Sequence, residues 1–350
     1  MGSSPLVTCG PARTTRSTWR EFSPSAPSSK RRAPDLEFLR GTAPPLEPSP
    51  LRVRLLPVIE TIDEVQSKLA DNRYIGDRAL ATSIFLALKI QKPLFIEGEA
   101  GVGKTEAAKV MADVLGARLI RLQCYEGIDL AHAAYEWNYP RQLLHIRLLG
   151  ESADRRAAER EIFSAEFLLR RPLLDAIDNR DLVPPVLLID EIDRSDEEFE
   201  AFLLELLSDF QISIPELGTI RAERPPFVVI TSNRTREVHD ALKRRCLYHW
   251  IDYPDLEKEI AIVEARVPEA TDGLARQVAG LVHGLRDMDL YKLPGVAETL
   301  DWARSLAALG AKGVDEALVE ATLGAALKYQ EDLERARTQI PELVVRARGA

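Results

Sequence analysis

The chain has 350 residues, 45% hydrophobic and 29% charged, which is the composition of a folded globular protein long enough for one large domain or two smaller ones. A formal net charge of −9 excludes a whole-chain nucleic-acid glove and leaves only a local basic groove possible. There is no apolar run of about 18 residues to make a transmembrane helix, and Cys9, Cys124 and Cys246 lack C-x-x-C spacing and read as reduced cytoplasmic thiols.

Residues 1–50 are rich in Ser, Pro, Arg and Thr and have no apolar periodicity, so they read as a disordered tail. Within 1–34, Arg13, Arg16, Arg20, Lys30, Arg31 and Arg32 face a single acid, Glu21. A transit-like segment or a start placed too far upstream would give the same bias. From 51 to 253 strand-like and helical stretches alternate. The strand-like runs are Pro93–Ile96, Arg118–Gln123, Pro185–Ile189, Phe227–Thr231 and Tyr248–Ile251. That alternation predicts crossover connections and a mostly parallel sheet covered on both faces. Beyond Pro254 the strand signal ends. The stretches 256–266, 271–287, 296–309 and 314–336 read as helices of a second, all-helical domain over 254–340.

The first strand runs into Gly98-Glu99-Ala100-Gly101-Val102-Gly103-Lys104-Thr105, which fits the phosphate-binding pattern G-x-x-x-x-G-K-[ST] between a strand and a helix. In that pattern glycines let backbone amides approach the phosphates, and the helix N-terminus adds its positive dipole end. Lys104 is expected on the β- and γ-phosphates and the Thr105 hydroxyl on Mg²⁺. Further on, the apolar run Val186 to Ile189 ends in Asp190 and Glu191, at the sheet edge where α/β folds collect ligands. Asp190 is expected to hold Mg²⁺, and Glu191 to orient and deprotonate the attacking water. Asp193 and Asp196 read as helix-capping groups. A third strand ends at Asn233, which could reach the γ-phosphate or the water, or could be an ordinary strand-to-turn asparagine. Lys243-Arg244-Arg245 could be a solvated helix end or could offer an arginine to a neighbour's γ-phosphate.

In this order and spacing the four elements resemble the Walker A, Walker B, sensor 1 and arginine-finger motifs of AAA+ ATPases over roughly residues 56–336. The resemblance implies an αβα sandwich with a parallel five-stranded sheet, followed by a small helical lid. Two insertions narrow it: residues 125–149, containing Tyr135-Glu136-Trp137-Asn138-Tyr139, and 210–224, which read as a hairpin turning at Pro215 to Gly218. A helix-2 insert and a pre-sensor-1 hairpin are similar to the MoxR group. Residues 125–147 and 294–304 look closest to the ATPases that accompany carbon monoxide dehydrogenase and related molybdenum hydroxylases.

The resemblance assigns the finger to Arg245, with Arg244 as the alternative, and places the adenine at Ile75-Gly76. Where many relatives carry a sensor 2 arginine, this chain reads Leu293-Pro294-Gly295-Val296, so sensor 2 is absent or supplied from elsewhere, for instance by Arg304. Implied with the family are ATP hydrolysis, Mg²⁺, a hexameric homo-oligomeric ring, a von Willebrand factor A-domain partner and a client enzyme that the ring remodels. Tyr135, Trp137 and Tyr139 could contact that client or could simply pack in the domain. The competing expectation is a nucleic-acid motor or loader, which the acidic hairpin tip and the overall charge disfavour.

Overall fold

The computed structural model describes residues 59–149 and 160–349. The expected tail at 1–50, with Cys9, lies outside the described residues. Among the described residues the strands are, in chain order, β1 (Leu94–Gly98), β2 (Leu119–Gln123), β3 (Tyr135–Trp137), β4 (Leu168–Arg170), β5 (Val186–Asp190), β6 (Gln211–Ile214), β7 (Gly218–Arg221), β8 (Phe227–Ser232) and β9 (Leu247–Ile251). Five of them form one parallel sheet in the order β2-β5-β8-β1-β9. This is the expected five-stranded α/β architecture. In β1, β5 and β8 every residue is buried. These central strands are apolar on both faces because helices cover both, so their sequences run nearly unbroken rather than alternating.

Side-chain alternation divides the core into two layers. Phe95, Leu187, Ile189, Val228 and Ile230 face one layer with the helices Pro172–Ile177 and Glu197–Asp209. Ile96, Val186, Leu188 and Val229 face the other, with the helices Arg78–Ile90 and Lys104–Leu115. Edge strand β2 keeps a period of two: Ile120 and Leu122 are buried, while Arg121 and Gln123 are exposed. The register sets Gln123 beside Asp190 and Arg121 beside Leu188, so both β2 polar residues share the face of Asp190.

Residues 125–149 fold as a short helix Leu130–Ala133, β3 and the helix Tyr139–Leu149, and β3 pairs antiparallel with β4. β6 and β7 form an antiparallel hairpin immediately before β8. The C-terminal part is helical, with Leu256–Arg266, Asp272–Arg286 and Val296–Ala308 around a separate core that includes Leu281 and Trp302.

Two expectations there need correction. The stretch 314–336 is not one helix but Glu316–Thr322, a 3-10 turn Leu323–Ala325, and Gln330–Arg337. Side chains end the first piece. Thr322 Oγ1 donates back to Leu318 O at 2.7 Å and accepts from Trp302 Nε1 at 2.8 Å. Lys328 Nζ takes the carbonyls of Gly324 and Ala325 at 2.9 and 2.8 Å. The helical region also runs past 340, through Ile340–Gly349. Its buried Ile340, Leu343, Val344 and Ala347 recur at helical spacing.

Candidate active site

β1 ends at Gly98, where a Cβ would stand 2.1 Å from the Ile251 carbonyl oxygen, so the neighbouring strand can approach this closely only because no side chain is present. The chain then loops over Gly101 and Gly103, both at positive φ (80° and 97°), and enters the helix Lys104–Leu115. Glycine adopts that backbone at no steric cost. Lys104 is buried. Its ammonium spans the loop, donating to Gly98 O at 2.8 Å and Glu99 O at 2.5 Å. Burial pushes the Lys104 ammonium down to about 8, against the opposite pull of Asp193, Glu99, Asp190 and Glu191.

At the head of the same helix, Thr105 Oγ1 donates to Asp190 Oδ1 at 2.9 Å. Thr231, one strand over on β8, donates to the same oxygen at 2.6 Å. Oδ2 of Asp190 takes Arg121 Nε at 3.0 Å and Nη2 at 2.6 Å. Glu191 sits in the left-handed region at φ 55°, with its amide on Thr231 Oγ1 at 2.9 Å. Its carboxylate meets Asn233 Nδ2 at 3.2 Å, Gln123 Nε2 at 3.0 Å and Arg194 Nε at 2.9 Å. Lys104, Thr105, Asp190, Glu191 and Asn233 therefore converge at the C-terminal edge of the sheet, from two strand ends and one helix.

Asp193 does not cap a helix, unlike Asp196, which accepts from Phe199 N at 2.8 Å. Instead Asp193 accepts the amides of Asn233 and Thr235 at 3.1 and 2.9 Å and the Thr235 hydroxyl at 2.6 Å, fixing the turn that carries Asn233. Burial raises its carboxyl, but those Thr235 and Asn233 bonds outweigh it and hold the group below its ordinary value. Nearby Cys124 is buried and is pushed up to about 12, first by burial and then by Asp190, which disfavours its thiolate.

Beside the loop lies a cavity of about 260 Å³, lined by Tyr74, Ile75, Gly76, Gly101 to Gly103 and Ile251, and by Val296, Leu300 and Arg304 from the C-terminal helices. It approaches the lower end of ordinary small-molecule sites, about 300–1,000 Å³. Ion pairs close its rim: Lys258 with Asp77 at 3.2 Å and Arg266 with Glu106 at 2.7 Å, while Arg266 Nε also donates to Arg73 O at 2.7 Å. Ala297 N donates to Gly101 O at 3.1 Å. A Cβ on Gly295 would come within 2.7 Å of Ala100 O, so glycine is what allows this helix end to rest on the loop. That helix end also sets an acid against the loop: Glu298 Oε2 accepts from Gly295 N at 3.0 Å and stands 3.0 Å from where a Gly101 Cβ would be. Arg304 lines the cavity and pairs with Asp301 at 3.2 Å.

The basic segment divides. Lys243 pairs with the buried Glu97 of β1 at 3.3 Å. Arg245 is tied down, with Nε on Ser208 Oγ at 2.6 Å and Nη1 on Ala241 O at 3.1 Å. The exposed Arg244 guanidinium has no partner among the described residues. The aromatic residues of 125–149 divide as well. Trp137 is buried edge-on to Phe163 at 5.4 Å, whereas Tyr139 is exposed. Sequence reasoning did not anticipate Arg121, Gln123, Arg194 or Thr231. The polar–apolar alternation of β2 was a usable signal for the first two.

Residues 94–251 match the family described as ATPase family associated with various cellular activities (AAA). No curated protein matches the sequence. Among solved structures, the chain is similar to the Thermotoga maritima RuvB Holliday junction branch migration motor. Identity there is 17% and the TM-score 0.40, over 75% of this chain and 70% of that one. It is also similar to a Cytophaga hutchinsonii protein described as an ATPase, at 13% identity and a TM-score of 0.41, over 81% of this chain and 93% of that one. With its loop, carboxylates and cavity gathered at one sheet edge, and with the family match over 94–251, the chain carries an AAA domain and is an ATP-hydrolysing enzyme.

Proposed function

We propose that this chain is a MoxR-type AAA+ ATPase that works as a cytoplasmic ring, a hexamer, to remodel a client protein. The client class is a molybdenum-containing hydroxylase under maturation, with a von Willebrand factor A-domain protein as partner. One observation carries the catalytic part: Thr105 touches Asp190 at 2.9 Å and Asn233 touches Glu191 at 3.2 Å, at the mouth of the Gly98–Thr105 loop. In this reading Gly98 to Thr105 cradle the phosphates, Ile75 and Gly76 receive the adenine, and Glu191 takes the proton of a water that Asn233 helps to place. The Thr105 hydroxyl and Asp190 carboxylate are hard oxygen donors suited to Mg²⁺. When bound there, Mg²⁺ supplies charge neutralisation at the β- and γ-phosphates. Arg245 is the group offered to the next subunit, and Arg244 is the alternative.

The remodelling part is supported by the helix Tyr139–Leu149, which exposes Tyr139, Leu143, Leu144, Ile146 and Leu148 to solvent. Contiguous exposed apolar surface is characteristic of protein–protein contact. The hairpin tip carries Glu216 rather than a base, which disfavours nucleic acid as the client. The test is ATP turnover by the full chain, alone and with a purified apo-molybdenum hydroxylase, a von Willebrand factor A-domain protein, or duplex DNA. Stimulation by either protein supports this reading. Stimulation by DNA alone contradicts it.

A further inference from the structure

Asp190 and Glu191 are each held by an arginine, and the one on Asp190 reaches it from the edge of the sheet. Asp190 is buried, with 2% of its side chain exposed, whereas 48% of the Arg121 side chain is exposed. Thr105 and Thr231 donate to Oδ1, and Arg121 donates twice to Oδ2. These four bonds use all the lone-pair sites a carboxylate offers. A buried carboxylate without a countercharge is costly, and Arg121 supplies that charge. Its Nη2 also donates to Gln123 Oε1, and Gln123 Nε2 in turn donates to Glu191 Oε2 at 3.0 Å. Asp190, Arg121, Gln123 and Glu191 thus form one continuous chain of contacts.

We propose that Arg121 is a resident counterion of Asp190 that gives way to the divalent cation. The inference rests on the reading of Asp190 as the metal-holding carboxylate. A guanidinium and a divalent ion repel each other and compete for one buried carboxylate. Arg121 can yield because its flexible stem lies at the solvent edge, so its charge rehydrates on leaving.

The test uses the full chain with saturating non-hydrolysable ATP analogue and Mn²⁺ as the probe, unbound Mn²⁺ being counted by its electron paramagnetic resonance signal. Arg121→Gln is expected to bind Mn²⁺ about tenfold more tightly than wild type, on the scale of one charge-assisted hydrogen bond. Arg121→Lys, which keeps the charge and loses the bidentate fork, is expected to fall between them. Arg121→Gln should also melt lower than wild type without metal, and gain more melting temperature from Mn²⁺ and analogue together. If Arg121→Gln does not fold, Arg121→Lys provides the same comparison. Unchanged or weaker Mn²⁺ binding in the Arg121 variants, with binding lost in Asp190→Asn, overturns the counterion and leaves Asp190 as the metal carboxylate. Wild-type Mn²⁺ binding by Asp190→Asn overturns both.

Discussion

Lys104 shows how local a motif's chemistry is. Its neighbours Gly103 and Thr105 fix where the chain turns into a helix, and its ammonium then lies across the loop on two backbone carbonyls. Those carbonyls cannot neutralise it as a triphosphate would, so Lys104→Ala removes charge-assisted bonds worth about 1.5–3 kcal/mol. The expected result is nucleotide affinity lower by about 10–100-fold, read by fluorescence titration with a labelled nucleotide, with an unchanged melting temperature in its absence. Lys104, Thr105, Asp190 and Glu191 were legible because each belongs to a contiguous signature. Arg121 was not: its partner is 69 positions away, and only the β2–β5 register brings them together. Nor does sequence choose between Arg244 and Arg245, because that depends on which of the two Ser208 restrains.

Among the elements, the contact between Val296–Ala308 and the loop depends on a buried ionic cluster behind it. Glu259 has no exposed surface, and it receives Arg286 at 2.7 and 2.8 Å and the Thr299 hydroxyl at 2.6 Å. Arg286 also donates to Pro294 O at 2.8 Å, bracing the turn that sets Gly295 against the loop. Arg286→Ala strips the guanidinium from the buried Glu259 and leaves it Thr299 and His283, a loss of up to about 3–5 kcal/mol, measurable by urea denaturation, and should weaken nucleotide binding as the turn loosens. Burial raises the Glu259 carboxyl, but bonds from His283 and Arg286 outweigh it and the group titrates below its ordinary value. The folded state therefore binds this proton less readily than the unfolded chain. The stabilisation is complete above the unfolded carboxylate range and is lost as pH falls through the lowered folded value. The acid limb of the wild-type stability profile should show this loss, and Glu259→Gln should flatten it. The helices themselves were readable from their periodicity. The break after Thr322 was not, since it depends on a tertiary bond from Trp302 and on the Lys328 side chain.

For the whole molecule, the parallel sheet was legible because central strands buried on both faces are written as apolar runs, and its C-terminal edge then locates the chemistry. The proposed assembly rests, in the sequence, on the basic segment. If the finger acts between subunits, Arg245→Ala keeps nucleotide binding and loses turnover by a factor on the order of 10³–10⁵, while Arg244→Ala stays near wild type. The reverse pattern would assign the role to Arg244, whose guanidinium is free among the described residues. Mixing Arg245→Ala with Glu191→Gln subunits should restore part of the activity, because a hybrid ring contains interfaces complete on both sides. The most direct test of the site is steady-state ATP turnover by Glu191→Gln, with nucleotide affinity measured on the same preparation. Near-zero turnover with wild-type affinity is the expected result. Turnover at the wild-type rate would contradict the assignment of Glu191 as the base.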